Sequence, residues 1–283
     1  MENKNIWKWI SAFLAVLLLI VCVLYVNEKN STLNSTLIQE ETKEETVEEK
    51  VYLSSWAEDS KTKQEIIAFV EAVSDPDSAD YVPEEDRICV ADLDGTLFCE
   101  TDPVYFDHMI YNYRVLEDPD YKDKATEYQL YVASRVQEFI DTGTYPSGLD
   151  NEHGQGVAEV FAGMTIDELY DYIDAYKNTP ANGYNGMMKG EAFYQPMLEL
   201  IDYLQDHGFR FYIVSGTDRL LVRGLVKDTI NIPASQVIGS DELLIARDQG
   251  DLDGLDYVFD DDDEIVLAGE FLIKNLKMNK VTV

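Results

Sequence analysis

The sequence predicts an α/β protein: a doubly wound parallel sheet with an inserted α-helical cap, preceded by one transmembrane helix. Three observations carry this. Two apolar runs, Ile88-Cys89-Val90-Ala91 and Phe209-Arg210-Phe211-Tyr212-Ile213-Val214, each break into polar residues and lead on to a helical pattern. A long Tyr-rich stretch of helical periodicity lies between them, and near the amino end Ile10 to Val26 is almost uninterrupted aliphatic. Strands alternating with helices imply parallel pairing with helices on both faces.

The segments follow in chain order. Residues 1–26 read as a cytoplasmic stub and membrane anchor. Counted back to Ile6, the apolar run reaches about the 20 residues a bilayer requires, with Trp7, Trp9 and Tyr25 at the interfaces and Lys8 able to snorkel. It is longer than the apolar region of a cleavable signal and lacks small residues at a cleavage point. Val21 stands where a lipoprotein box before Cys22 needs a small residue. Lys4 and Lys8 precede the span and acidic chain follows, so the body is expected outside the cytoplasm. Residues 27–50 are an acidic flexible linker of Ser, Thr, Asn, Glu and Lys. The core is expected over 51–102 and 186–283, with the helical cap over 103–185.

Within these bounds the periodicity predicts helices over Trp56–Val73, Val104–Leu116, Tyr121–Ile140 and, shorter, Gly156–Phe161. Another starts at Thr165, where Thr165-Ile166-Asp167-Glu168 has the pattern of a capping box. Thr179–Gly190 is loop. Glu191–Asp206 is amphipathic and stopped by Gly208, and Asp218–Ile230 is the helix after the second strand.

The formal net charge of −33 over 283 residues excludes nucleic acid as a partner, since a phosphate backbone would be repelled. Asp260-Asp261-Asp262-Asp263 lacks the alternating ligands and glycine of a calcium loop and reads as solvated surface. Three cysteines, Cys22, Cys89 and Cys99, offer no disulfide framework.

The chemistry concentrates where the first strand ends. Ile88-Cys89-Val90-Ala91-Asp92-Leu93-Asp94-Gly95-Thr96-Leu97-Phe98 delivers two aspartates, two residues apart, into a Gly-Thr turn. Residues i and i+2 of a strand share a face, so both carboxylates can converge on one group. Held together they repel unless a cation or a phosphoryl group lies between them. Asp92 is the candidate nucleophile, able to form an aspartyl-phosphate. Asp94 can protonate the leaving oxygen and later deprotonate the attacking water. After the second strand, Ser215 with Gly216 is placed to hold a phosphoryl oxygen at a helix start.

Asp-x-Asp-Gly-Thr after an apolar strand closely resembles the first motif of the haloacid dehalogenase-like (HAD) superfamily, whose core is a Rossmannoid sheet. Tyr81–Ile88, Phe98-Cys99-Glu100, Tyr194–Leu200, Tyr212–Gly216 and Val237–Ser240 resemble its phosphoserine-phosphatase-like bacterial branch. The resemblance spans about Trp56 to the end. It implies that Glu100 lies near the substrate and that Mg²⁺ bridges Asp92, the Asp94 backbone carbonyl and a further aspartate. An acid at Asp94 is the phosphatase variant, where dehalogenases and P-type ATPases carry other residues. A third-motif lysine should balance the charge of nucleophile and phosphate; Lys274, Lys277 and Lys280 compete, and Lys280, after the capping Asn279, is favoured over Lys277.

The further aspartate belongs to a fourth motif that is expected beyond Val283, so the chain reads as truncated before it. In an alternative, Tyr257-Val258-Phe259-Asp260-Asp261 is the fourth motif and Lys227 the third. The expected function is a Mg²⁺-dependent phosphomonoesterase acting on a small phosphorylated metabolite, held at the cell membrane by its amino-terminal helix. The competing expectation is a catalytically impaired surface or binding protein on the same scaffold.

Overall fold

The computed structural model describes residues 50–101 and 103–273. The expected anchor, the linker to Glu49, and Lys274, Lys277 and Lys280 lie outside the described residues. Among the described residues no helix is long and apolar enough to cross a membrane. The described residues from Val51 onward form one compact unit.

Helix α1 (Lys61–Ser74) starts five residues later than Trp56, because Ser60 supplies the cap and accepts from the Lys63 amide. Strand β1 (Ile88–Ala91) follows. The helical block is α2 (Phe106–Leu116), α3 (Glu127–Thr142), α4 (Leu149–Val160) and α5 (Ile166–Lys177). A 3₁₀ turn at Lys122–Lys124 displaces the start of α3 from Tyr121 to a capping box built by Thr126 and Gln129. The expected box of Thr165 and Glu168 forms and starts α5. Helix α4 is longer than Gly156–Phe161, its amphipathic stripe having been diluted by Gly154 and Gly156. Both glycines are needed: a Cβ at 154 would stand 3.1 Å from the Phe271 ring, and one at 156 would stand 2.8 Å from the Tyr111 hydroxyl.

Helix α6 (Gln195–Asp206) leads into β2 (Arg210–Asp218), which runs on directly into α7 (Arg219–Val226). Asp218 caps α7 by accepting from the Leu220 and Leu221 amides at 2.8 and 3.1 Å. The helix stops short of Ile230, since Asp228 adopts a left-handed φ of 68°. Two further strands, β3 (Val237–Ala246) and β4 (Ile265–Ile273), complete a sheet of order β1-β2-β3-β4. The first two pairings are parallel and the last antiparallel.

The sheet is therefore mostly parallel, and it departs from the doubly wound expectation in two ways. An antiparallel neighbour needs no crossover helix, so β3 reaches β4 through the acidic loop 247–264 alone. Coverage is also uneven. Phe211 and Ile213 are buried, and paired Cys89 and Ala91 face the same way. On the opposite face Ile88 and Val90 are 53% and 58% exposed and Ile238 45%, so among the described residues this side is left open. Helices α6 and α7 pack on β2, and α7 packs also on β3.

The helical block is joined to the sheet through β4. Gly163 donates to the Leu267 carbonyl at 2.8 Å and Leu267 donates to that of Met164 at 2.9 Å. The Gln155 amide bridges the Gly269 carbonyl and the Phe271 N–H. Block and sheet share one apolar core, in which Phe98, Tyr111, Phe161, Ile213 and Leu267 are buried. The alternative fourth motif does not form. Tyr257–Asp261 forms no strand; its acids make local turns, with Asp263 accepting from the Asp260 amide and the Tyr257 hydroxyl. Lys227 sits just past α7, where its carbonyl accepts from Lys177 Nζ at 3.2 Å.

Candidate active site

Strand β1 ends at Ala91 and the chain turns at once. Leu93, Leu97 and Phe98 are buried and anchor the turn from inside. The Leu97 and Phe98 amides both donate to the Leu93 carbonyl, at 2.8 and 2.9 Å, and Gly95 donates to the Phe98 carbonyl at 2.8 Å. Gly95 has φ of 70°, and a Cβ there would collide with the Glu100 carboxyl. Glycine thus meets two demands: a left-handed backbone and room for an acid to fold back over the turn. The apolar side chains fix the backbone while Asp92 and Asp94, at alternating positions, stay half-buried at its rim.

Both aspartates line a cavity of about 610 Å³. The Asp92 carboxylate accepts from the Leu93 amide at 2.9 Å. Asp94 Oδ2 accepts from the Thr217 hydroxyl at 2.9 Å and, more weakly, from that of Ser215 at 3.4 Å. Burial, reinforced by the charge of nearby Asp107, pushes the Asp94 carboxyl up to about 7, although the Thr217 hydrogen bond and Asp107's neighbour His108 oppose the shift. It therefore carries its proton well into the neutral range.

The residues expected from the sequence divide into three groups. Asp92, Asp94, Glu100 and Gly216 all line the cavity. Ser215 points to the same carboxylate but is fully buried behind it, and its Oγ also accepts from the Thr217 amide at 3.1 Å. Lys280, like its rivals, lies outside the described residues. Sequence reasoning missed Thr217, which presents the nearest hydroxyl to Asp94; its signal was its place two residues after Ser215.

The helical block supplies the opposite wall through Tyr105, Asp107 and His108 at the start of α2, and Asp150 and His153 on α4. The Tyr105 hydroxyl donates to Glu100 Oε2 at 2.9 Å. Asp218 and Glu242 complete the lining from β2 and β3. Burial, with Asp218 and Asp241 nearby, pushes the Glu242 carboxyl up to about 9, and its Oε2 has no hydrogen-bond partner. No lysine or arginine lines the cavity among the described residues.

This donor set suits magnesium. Hard dications with reluctant dehydration take carboxylate oxygen and substrate phosphate, and the aspartate turn offers oxygen donors in an acid-rich cavity without a competing cation. Asp92 and Asp94 are the residues that would hold it.

No family model matches the chain. It is 34% identical over 109 residues to a phosphorylcholine phosphatase of Pseudomonas aeruginosa, which covers 34% of this chain. The chain spans 31% of the length of that curated relative. Among solved structures it is similar to a protein of unknown function from Anaerococcus prevotii (TM-score 0.39, 16% identity, 67% of this chain and 69% of the other). It is also similar to a phosphoserine phosphohydrolase-like protein from Francisella tularensis (0.32, 13%, 62% and 63%) and to cytosolic 5'-nucleotidase IIIB bound to cytidine (0.41, 13%, 76% and 59%). Those overlaps are too small to argue from. The aspartate turn at the head of a mostly parallel sheet, together with the partial similarity to a phosphatase, agrees with the resemblance to the HAD-like hydrolase superfamily.

Proposed function

We propose that the chain is a Mg²⁺-dependent phosphomonoesterase working through an aspartyl-phosphate. The observation that supports this best is the convergence of Asp92, Asp94 and the Thr217 hydroxyl on one cavity. Asp92 attacks phosphorus, a P–O bond to aspartate forms, and the ester P–O bond breaks. Asp94 gives its proton to the departing alkoxide, a role suited to a carboxyl that titrates near 7. Water then attacks the acyl-phosphate, Asp94 takes back a proton, and inorganic phosphate leaves. Thr217 holds Asp94 in place throughout. Bound magnesium would supply charge neutralisation for the phosphoryl oxygens. Lys280 is proposed to balance the remaining charge.

The test is phosphate release by the full chain. Asp92→Asn should abolish turnover without lowering the melting temperature, and chelation should silence the wild type until Mg²⁺ is restored. Full turnover by Asp92→Asn would overturn the mechanism.

The lining also favours a substrate whose alcohol is positively charged. Glu100 and Asp150 add acid to the aspartate pair, and Tyr105 and Tyr145 present aromatic rings. Carboxylates and ring faces together attract ammonium groups. This agrees with the name of the Pseudomonas relative. Phosphorylcholine should be hydrolysed with a kcat/KM at least about 10-fold above that of an uncharged alkyl phosphate, and Tyr145→Leu should narrow the gap. Equal rates for the two esters would remove this reading and leave the phosphatase itself standing.

The aliphatic run 10–26 supports anchoring of the protein to the cell membrane with the catalytic unit outside. Protease accessibility on intact cells tests it: protection of the catalytic unit would rule it out.

A further inference from the structure

The cap wall of the cavity carries a group whose only stated part in the phosphatase reaction is the charge of Asp107 near Asp94. Asp107 and His108, in the first turn of α2, meet His153 of α4, and all three are buried. His108 Nδ1 stands 2.7 Å from Asp107 Oδ1, His153 Nδ1 stands 3.7 Å from Asp107 Oδ2, and the two imidazoles stack with centroids 4.2 Å apart. One ligand atom from each of the three residues can be chosen so that all lie within 4.8 Å of one another.

The group is polar in a way that its protein surroundings leave incomplete. Nε2 of His108 and Nε2 of His153 are both buried without a hydrogen-bond partner. A neutral His108 that donates from Nδ1 to the Asp107 carboxylate keeps a lone pair on Nε2, and the Nε2 of His153 is likewise buried with nothing beside it to bond. Burial and the neighbouring His108 push His153 down to about 3, which keeps it in the neutral form that ligates metals. Burial alone would raise Asp107, but the two imidazoles outweigh it and hold the carboxyl below its usual range. A buried carboxylate and two imidazoles are thus gathered beside Asp94 with no lysine or arginine among the described lining residues.

We propose that Asp107, His108 and His153 form a binding site for a first-row transition-metal dication such as zinc, separate from the magnesium position at the aspartate turn. The donors decide the metal class. Imidazole suits zinc and its neighbours, whereas an all-oxygen set suits magnesium. Two ligands of one zinc ion stand no more than about 4.2 Å apart, at twice the metal–nitrogen distance. A tetrahedral site brings its ligand atoms to about 3.4 Å from one another, so the side chains need to close by at most about 1.4 Å from the spacing they already have. The proposal does not depend on the phosphatase reading.

The chain contains only three histidines, which makes the test direct. The third, His207, turns Nδ1 to the Tyr203 carbonyl at 2.7 Å and belongs to a different helix end. In the full chain with labelled histidine, Zn²⁺ titration should shift the ring signals of His108 and His153 together, saturating at one equivalent, while His207 stays in place. Excess Mg²⁺ should not reverse the shifts. By equilibrium dialysis, His153→Gln and His108→Gln should each lose at least about 100-fold in Zn²⁺ affinity, and Asp92→Asn should lose none. Shifts at His207 alone, no saturable shift, or undiminished affinity in His153→Gln would each overturn the site. Should a glutamine variant fail to fold, the wild-type titration still decides.

Discussion

The two walls of the cavity are built in opposite ways. The aspartate wall is one continuous stretch, Asp92 to Glu100, whose apolar residues lock the backbone while its acids remain half-buried at the rim. The cap wall is assembled from two helices, and its acid is sealed in with its partners: Asp107 accepts from the His108 amide at 2.8 Å and from the His108 ring at 2.7 Å. On the first wall the functional groups hang from a scaffold that stands without them. On the second, the polar groups are themselves part of what holds the helices together. Removing a carboxylate should therefore cost chemistry on one side and stability on the other.

The sharpest way to break this contrast is to swap the carboxylates for amides in turn. Asp92→Asn is expected to lower kcat on the order of 10⁴-fold or more, with the unfolding midpoint unchanged. Asp107→Asn should do the reverse. It removes a buried charged acceptor and should cost on the order of 3 kcal/mol in denaturant unfolding, while kcat falls far less than in Asp92→Asn. Equal losses of stability in the two variants would end the comparison.

A smaller effect separates the walls by pH. The folded Glu242 carboxyl titrates near 9, against about 4.3 in an unfolded chain. The folded protein holds the extra proton between those values, so this residue's contribution to stability falls as pH rises across the window. Glu242→Gln should flatten that decline, matching the wild type near pH 5 and exceeding it near pH 9 in thermal unfolding. A wild-type profile that rises through this range, unchanged by the substitution, would contradict the burial of an uncompensated acid. Smallest of all, Thr126→Ala removes one half of the α3 capping box and should cost about 1 kcal/mol with kcat unaltered, since this cap lies away from the cavity lining.

What could be read from the sequence follows the same division. The aspartate turn, β2 and the Thr165 capping box were legible because each is carried by residues a few positions apart. Ser215 was expected at the site and lies buried behind Asp94; that Thr217 comes closer to the carboxylate goes with the end of β2, where its pairing with β3 slips between Val214 and Asp218. The β3–β4 pairing was not anticipated, since the strands are separated by an acidic loop with no compact turn signal. The cap cluster was hidden for a similar reason. His108 and His153 are 45 residues apart, and only the packing of α2 on α4 brings them to one carboxylate. The scarcity of histidine was the one hint available. The expected second layer of helices failed on topology: an antiparallel last strand calls for no crossover, and the Ile88 and Val90 side is open among the described residues.

The seam between β4 and the helical block has a consequence for motion. Main-chain bonds at Gly163, Met164 and Leu267, the Gln155 bridge, and Phe271 seated against Gly154 tie α4 to the sheet along several residues. A wall stitched down in this way does not swing like a door, because each opening would break a row of bonds at once.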